Sequence, residues 1–185
     1  KTVGEFISPE GVIYDLGCGF GIFSIYLALA QAKRTVIGID SSTRRVKSAQ
    51  LAANRMGINN IRFMNSDVLN VEKPVCDGMV ITNLLYHLDG WNNQEIFLKK
   101  VAKGIKPGGK IVIVDIKKTP VWKYYFTWCV DHIMYPGDFI EFPTKQNLQE
   151  VFERMNFEFL EAPSEIHQGI PYSYVLYTAT RPMDS

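Results

Sequence analysis

Val12-Ile13-Tyr14-Asp15-Leu16-Gly17-Cys18-Gly19-Phe20-Gly21-Ile22-Phe23 is the stretch that decides the architecture. Three apolar residues and an acid read as a buried strand, three glycines at alternate positions as a tight turn, and the apolar run behind them as the first turn of a helix. Glycine suits such a turn because a side chain would hold a ligand off the backbone and because it tolerates positive φ. Something polar docks here. A dinucleotide fingerprint needs G-x-G-x-x-G, but its sixth position is Ile22 and the third glycine is Gly21. No Lys follows the glycines, so a phosphate loop is absent too. The spacing points away from a phosphate ligand.

Downstream, Thr35-Val36-Ile37-Gly38-Ile39-Asp40 reads as a second buried strand closed by an acid, 23 residues after Gly17. A carboxylate at that place can grip both hydroxyls of a ribose; the competing reading is a helix cap, shared with Ser41, Ser42 and Thr43. Residues 43–56 set Val46, Ala49, Ala53 and Met56 on one helical face, stopped by Gly57. A third strand at 61–65 leads into Ser66-Asp67-Val68, and a fourth at 76–83 leads into Leu84-Leu85-Tyr86-His87-Leu88. Phe97, Val101 and Ile105 mark an amphipathic helix over 94–105; Lys106-Pro107-Gly108-Gly109 then turns into a fifth strand at 110–115. After a helix at 146–155, short strands at 157–162 and 172–180, joined through Gly169-Ile170-Pro171, should pair antiparallel.

The pattern D-L-G-C-G-F-G resembles motif I of the class I S-adenosylmethionine-dependent methyltransferases. Asp40 matches their second motif, and K-P-G-G before an apolar strand is another hallmark, so the resemblance runs over nearly the whole chain. It implies a three-layer, Rossmann-like α/β fold. Its seven-stranded, mostly parallel sheet has a reversed last strand between strands five and six. S-adenosyl-L-methionine is the implied cofactor. The glycine turn Gly17, Cys18, Gly19, Phe20, Gly21 would cradle it, ordered by Asp15, with Phe20 closing over it. Asp40 and Ser41 would meet the ribose, Asp67 and Val68 the adenine, and the Asn83 backbone the amino group. For Asp67 an Asx turn is the competing reading. Asn83 is followed by two leucines rather than by the P-P-[YF] of enzymes that methylate base amino groups or certain glutamines, which lowers the nucleobase reading.

Length and composition bound the rest. At 185 residues the chain reads as one domain, 1–185, able to bury roughly 70% of its unfolded surface. Charged residues at 21% and hydrophobic ones at 46% are ordinary for a globular protein, and a net charge of +1 gives no strong steering toward nucleic acid, so none is expected as partner. Three scattered cysteines, Cys18, Cys76 and Cys129, fit neither a disulfide framework nor a C-x-x-C metal site. A cytoplasmic location and no metal are the expectation. Residues 1–10 offer only a short apolar piece, where the resemblance implies a longer segment covering the site. No signal peptide is visible, and whether residues precede Lys1 is left open.

Residues 117–144 depart most from a minimal fold and concentrate eight aromatic residues within 21 positions. On a helix, Val121, Tyr125, Trp128 and His132 form one stripe and Trp122, Phe126, Cys129 and Ile133 another. Two readings stand. In one this insert is a lid over an apolar acceptor, with Trp122, Tyr125 and His132 facing substrate, or a surface in peripheral contact with a membrane. In the other it packs on the sheet. Methyl transfer from a sulfonium needs mainly alignment, with a base where the acceptor is a hydroxyl or ammonium; His87 is the candidate, with Tyr86 as its orienter. The leading expectation is therefore methyl transfer to a small-molecule or lipid-like acceptor, against an RNA or protein methyltransferase or a non-catalytic binding module.

Overall fold

The computed structural model describes residues 3–70, 75–116, 120–134, 140–163 and 173–183. Tyr135, Phe139 and the link 169–171 lie outside them, as does the start of the expected 172–180 strand. The chain alternates β1 (Gly11–Leu16), α1 (Ile22–Ala30), β2 (Arg34–Asp40), α2 (Thr43–Arg55), β3 (Ile61–Asn65) and β4 (Cys76–Thr82). Then follow α3 (Gly90–Lys103), β5 (Ile105–Ile116), α4 (Val121–Met134), α5 (Lys145–Arg154), β6 (Glu158–Ala162) and β7 (Tyr174–Thr180).

The seven strands lie in the order β3-β2-β1-β4-β5-β7-β6. β1 pairs in parallel with both β2 and β4, and β4 with β5, whereas β7 runs antiparallel to β5 and β6. This is the three-layer, Rossmann-like arrangement with its reversed last strand. The order reverses between β2-β1 and β4-β5, so the carboxyl ends of β1 and β4 diverge into a crevice.

Side chains alternate across the sheet and build a core on each face. Tyr14, Leu16, Ile39, Met79 and Ile81 meet Phe97 and Leu98 of α3 and Val151 and Phe152 of α5. On the other face Ile13, Val36, Val80 and Val112 meet Leu27 and Ala28 of α1 and Ala53 of α2. Local signals set the helix ends: Ser42 accepts from the Arg45 N–H, Thr144 accepts from the Asn147 N–H, and Gly57 closes α2 at φ 66°.

Two sequence expectations change. The K-P-G-G turn lies inside β5, because Ile105 still pairs with Cys76 before the register shifts and resumes at Gly78 and Lys110. Gly108 and Gly109 bond instead with Arg181. Met56 does not share the buried face of α2: it follows the helix end at Arg55 and is exposed, unlike Val46, Ala49 and Ala53.

The amino-terminal segment is fastened by one buried cation. The Arg34 guanidinium, 1% exposed, donates to the carbonyls of Ser8 (2.7 Å), Gly4 (2.7 Å), Ile7 (3.3 Å) and Leu27 (3.2 Å). Arg34→Ala strands these carbonyls and should lower the unfolding free energy by roughly 2–4 kcal/mol in urea titrations.

Candidate functional site

The crevice is built by backbone geometry before any side chain reaches it. β1 ends where the N–H groups of Gly17 and Cys18 both donate to the Ile39 carbonyl, at 2.8 and 2.9 Å. The chain then turns through positive φ at Gly17 (75°), Gly19 (55°) and Gly21 (76°), which side chains rarely adopt. A Cβ on Gly21 would strike Phe63 and Ala49, so that glycine lets α1 pack down. A Cβ on Gly19 would meet no protein atom within 4 Å; the protein leaves room there.

Asp40 closes the crevice from β2. One carboxylate oxygen accepts the Gly19 N–H at 2.9 Å and the other accepts the Ser42 N–H at 2.9 Å, which turns the chain into α2. A carboxylate offers about four lone-pair sites, so two remain after these bonds. Asp40 thus serves the turn and the start of α2 together. Asp15 lies buried beneath, holding the Ser24 hydroxyl; burial first, and the Asp40 charge as well, push its carboxyl up to about 6. Cys18 is a wall residue facing Gly38, and burial pushes its thiol well above the ordinary range. Phe20 stands half-exposed with the Arg45 guanidinium 5.9 Å from its ring centre.

Along β3 the polar residues serve the loops. Asn65 donates to the carbonyls of Asp40 (3.1 Å) and Ser41 (2.8 Å), and Ser41 is exposed. Asp67 forms the Asx turn: its oxygens accept the Leu69 N–H and the Asn70 amide, both at 2.9 Å. The Val68 side chain points into the core.

The β4–β5 end is different in kind. Asn83 holds φ 50°, rare for a side-chain-bearing residue, while its N–H donates to the Val114 carbonyl at 3.0 Å. Leu84 packs over Gly17, and a short 3-10 turn, Leu85–His87, follows. Tyr86 is buried, its ring 4.5 Å from that of His87 and 4.6 Å from that of Phe142. Thr82 Oγ1, Asn83 Oδ1 and Asp115 Oδ2 are buried here without a hydrogen bond, which marks a polar cluster held at a cost. The Asp115 carboxyl is pushed up by burial to about 7, against an N–H bond from Ile116 that lowers it.

The structure therefore brings Asp15, Gly17, Gly19 and Asp40 round one crevice, with Asn83, Tyr86 and His87 on the adjoining strand end. It does not bring Trp122 and Tyr125 inward: both are exposed, and His132 folds onto Trp128, its Nδ1 2.8 Å from that residue's carbonyl. Ser24, Arg45 and Asp115 escaped the sequence reading as site residues. Asp115 had a visible signal, since it ends an apolar strand just as Asp40 does. Among the described residues no group of three His, Cys, Asp or Glu side chains could hold a metal.

A methyltransferase domain model matches residues 7–156, which contain the glycine turn, Asp40 and the whole of α4. The chain belongs to that family. S-adenosylmethionine is the donor of such methyltransferases, and the residues present fit it. Gly19 leaves space for a ligand against the backbone, and the buried Asp40 carboxylate keeps lone pairs for a sugar. Among curated relatives, the carboxy-S-adenosyl-L-methionine synthase of Alteromonas mediterranea is 28% identical over 131 residues, 64% of this chain and 51% of that protein. The ribosomal RNA small subunit methyltransferase C of Alcanivorax borkumensis is 28% identical over 69% of this chain and 38% of its own. The chain spans about half the length of the curated relatives it matches, or less. Among solved structures, magnesium protoporphyrin IX methyltransferase from Synechocystis PCC 6803 with bound SAM superposes with a TM-score of 0.70 at 19% identity. That match covers 94% of this chain and 71% of that one, a likeness of fold.

Because Asp115 sits at about 7 rather than the ordinary 3.8, the folded chain keeps a proton that the unfolded chain has lost. Its contribution to stability is full below about pH 4 and drains away as pH rises to about 7. Asp115→Asn should match the wild type near pH 4 and exceed it above pH 7, by up to roughly 4 kcal/mol. Urea unfolding at several pH values reads this directly.

Proposed function

We propose that this methyltransferase moves the methyl group of S-adenosylmethionine onto a small, largely apolar acceptor at the carboxyl ends of β4 and β5. The observation that carries the reading is the Asp40 carboxylate on the Gly19 N–H, 2.9 Å away, at the edge of a space no Cβ fills. In this reading Asp40, with Ser41 beside it, holds the ribose hydroxyls. Asp67 and Val68 edge the adenine, Phe20 covers it, and Gly17, Cys18, Gly21 and Asp15 shape the turn about the methionine end. The Asn83 backbone takes the amino group.

Bound there, S-adenosylmethionine supplies a methyl carbon activated by its sulfonium and a neutral leaving group. The chain's own work is alignment and exclusion of water. Adenosine over β1, β2 and β3 leaves β4 and β5 for the acceptor, whose lone pair must point along the C–S axis. For a hydroxyl or ammonium acceptor His87 removes the proton, with the Tyr86 ring against it fixing its plane. The near-neutral charge, +1, and the aromatic character of α4 support a small organic acceptor over RNA.

Thermal shift tests the donor half. S-adenosylmethionine and its demethylated product at 100 times their dissociation constants should each stabilise by about 2.7 kcal/mol, and NAD should not. Asp40→Ala should abolish the shift. His87→Ala should keep it while cutting turnover of a hydroxyl acceptor by roughly 10²-fold or more. A full shift in Asp40→Ala, or a response to NAD instead, sinks the reading.

A further inference from the structure

At the carboxyl ends of β4 and β5 two neighbouring residues each leave a side-chain oxygen with nothing to bond. Thr82 pairs with Val114 and the Asn83 N–H donates to the Val114 carbonyl, so the register carries on to set Asn83 beside Asp115. Adjacent strands lie about 4.8 Å apart. Asn83 Oδ1 and Asp115 Oδ2 are both buried, and neither has a hydrogen-bond partner among the described residues. Asp115 is 3% exposed, and its other oxygen accepts the Ile116 N–H at 2.7 Å. Both open atoms are acceptors, one of them on a carboxyl group. With that carboxyl ionised neither can satisfy the other, so the missing partner is a donor.

The fold does not need a carboxylate at this place. Asp40, at the matching end of β2, uses both oxygens on backbone N–H groups, whereas Asp115 uses one and leaves the other open. Burial pushes the Asp115 carboxyl up to about 7, so near neutral pH its ionised form costs stability that an amide would not. A buried polar atom without a partner calls for an explanation, and buried polarity held at a cost gathers at ligand sites. The position agrees with that. Asn83 stands between the donor crevice and Asp115, since Leu84, next to it in the chain, packs over Gly17.

We propose that Asn83 and Asp115 are the specificity-determining residues for the acceptor, holding a cationic amino group between their two open oxygens, so that the acceptor is an amine with an apolar body. The proposal rests on the methyl-transfer reading above and names its acceptor class. A primary ammonium carries several N–H donors and a positive charge, so it donates to both oxygens and leaves the carboxylate ionised and paired. A hydroxyl brings one hydrogen and a carboxylate none. Held in this way the ammonium has no lone pair to offer, so it is the handle that orients the acceptor, and the methylated atom lies elsewhere on the molecule. Both oxygens are closed off from solvent. The strand ends part to admit the amino group and close over it, and in that dry setting charge is recognised more strongly than in water.

Three probes that share one ring, benzylamine, benzyl alcohol and benzoate, test this by titration calorimetry on the full chain saturated with the demethylated donor. Benzylamine should bind at least tenfold more tightly than benzyl alcohol, and benzoate should not bind. Asp115→Asn should lose at least tenfold for benzylamine and nothing for benzyl alcohol, while keeping the S-adenosylmethionine thermal shift and a urea midpoint no lower than the wild type at pH 7. Asn83→Gly, which keeps the positive φ and the backbone carbonyl, should weaken benzylamine severalfold. Equal affinity for the alcohol, unchanged benzylamine binding in Asp115→Asn, or no benzylamine binding at all overturns the proposal. So does loss of the donor shift in Asp115→Asn, because the two oxygens then hold the donor's own amino group. Benzylamine binding that depends on Asp115 in a chain with no donor shift keeps the amine site and removes the methyl-transfer reading instead.

Discussion

One carboxylate ties the donor crevice together. Asp40 ends β2, and its oxygens hold the Gly19 N–H of the turn after β1 and the Ser42 N–H that opens α2. Two backbone amides at the ends of neighbouring strands are thereby fixed to a single buried charge, and charge-assisted bonds of this type are the stronger ones. Positive φ at Gly17, Gly19 and Gly21 is what brings the turn close enough for them to form. A change at either place loosens the other, so the crevice depends on both the glycines and the acid.

The same end of the sheet concentrates polar groups that cost free energy to bury. Asp15 and Asp115, at the ends of β1 and β5, are both pushed upward by burial, to about 6 and about 7. Asn83 adds a strained φ of 50° and an amide oxygen without a hydrogen bond. Strain and buried polarity persist only where the surrounding packing over-determines them, and here that packing is the apolar interior on both faces of β1, β4 and β5. The acids lie where parallel strands open toward the reversal of strand order, the ordinary place for a ligand in an open α/β sheet.

α4 obeys the opposite economy. It exposes apolar surface rather than burying polar groups, with Val121, Trp122, Tyr125, Phe126 and Ile133 all open to solvent. A helix that owed its existence to the core would turn one stripe inward. Among the described side chains of α4, Thr127 is the buried one.

Much of this was legible in the residues. Hydrophobic runs of strand length closed by Asp15, Asp40 and Asp115, helical repeats between them and the glycine spacing after Leu16 determine the alternating elements. Connection rules for parallel strands leave few orders for the sheet. The antiparallel β7 followed from the short link before it. Two things were decided only in three dimensions. Whether K-P-G-G turned or paired depended on Cys76 and Arg181, 29 and more residues from Ile105 in sequence. Whether the aromatic stripes of α4 faced the sheet or the solvent could not be read from their spacing, and in the fold Trp122, Tyr125, Phe126 and Trp128 are exposed. Periodicity records which side chains share a face, but the burial of that face, and with it the protonation of an acid such as Asp115, is set by neighbours that the chain brings together only on folding.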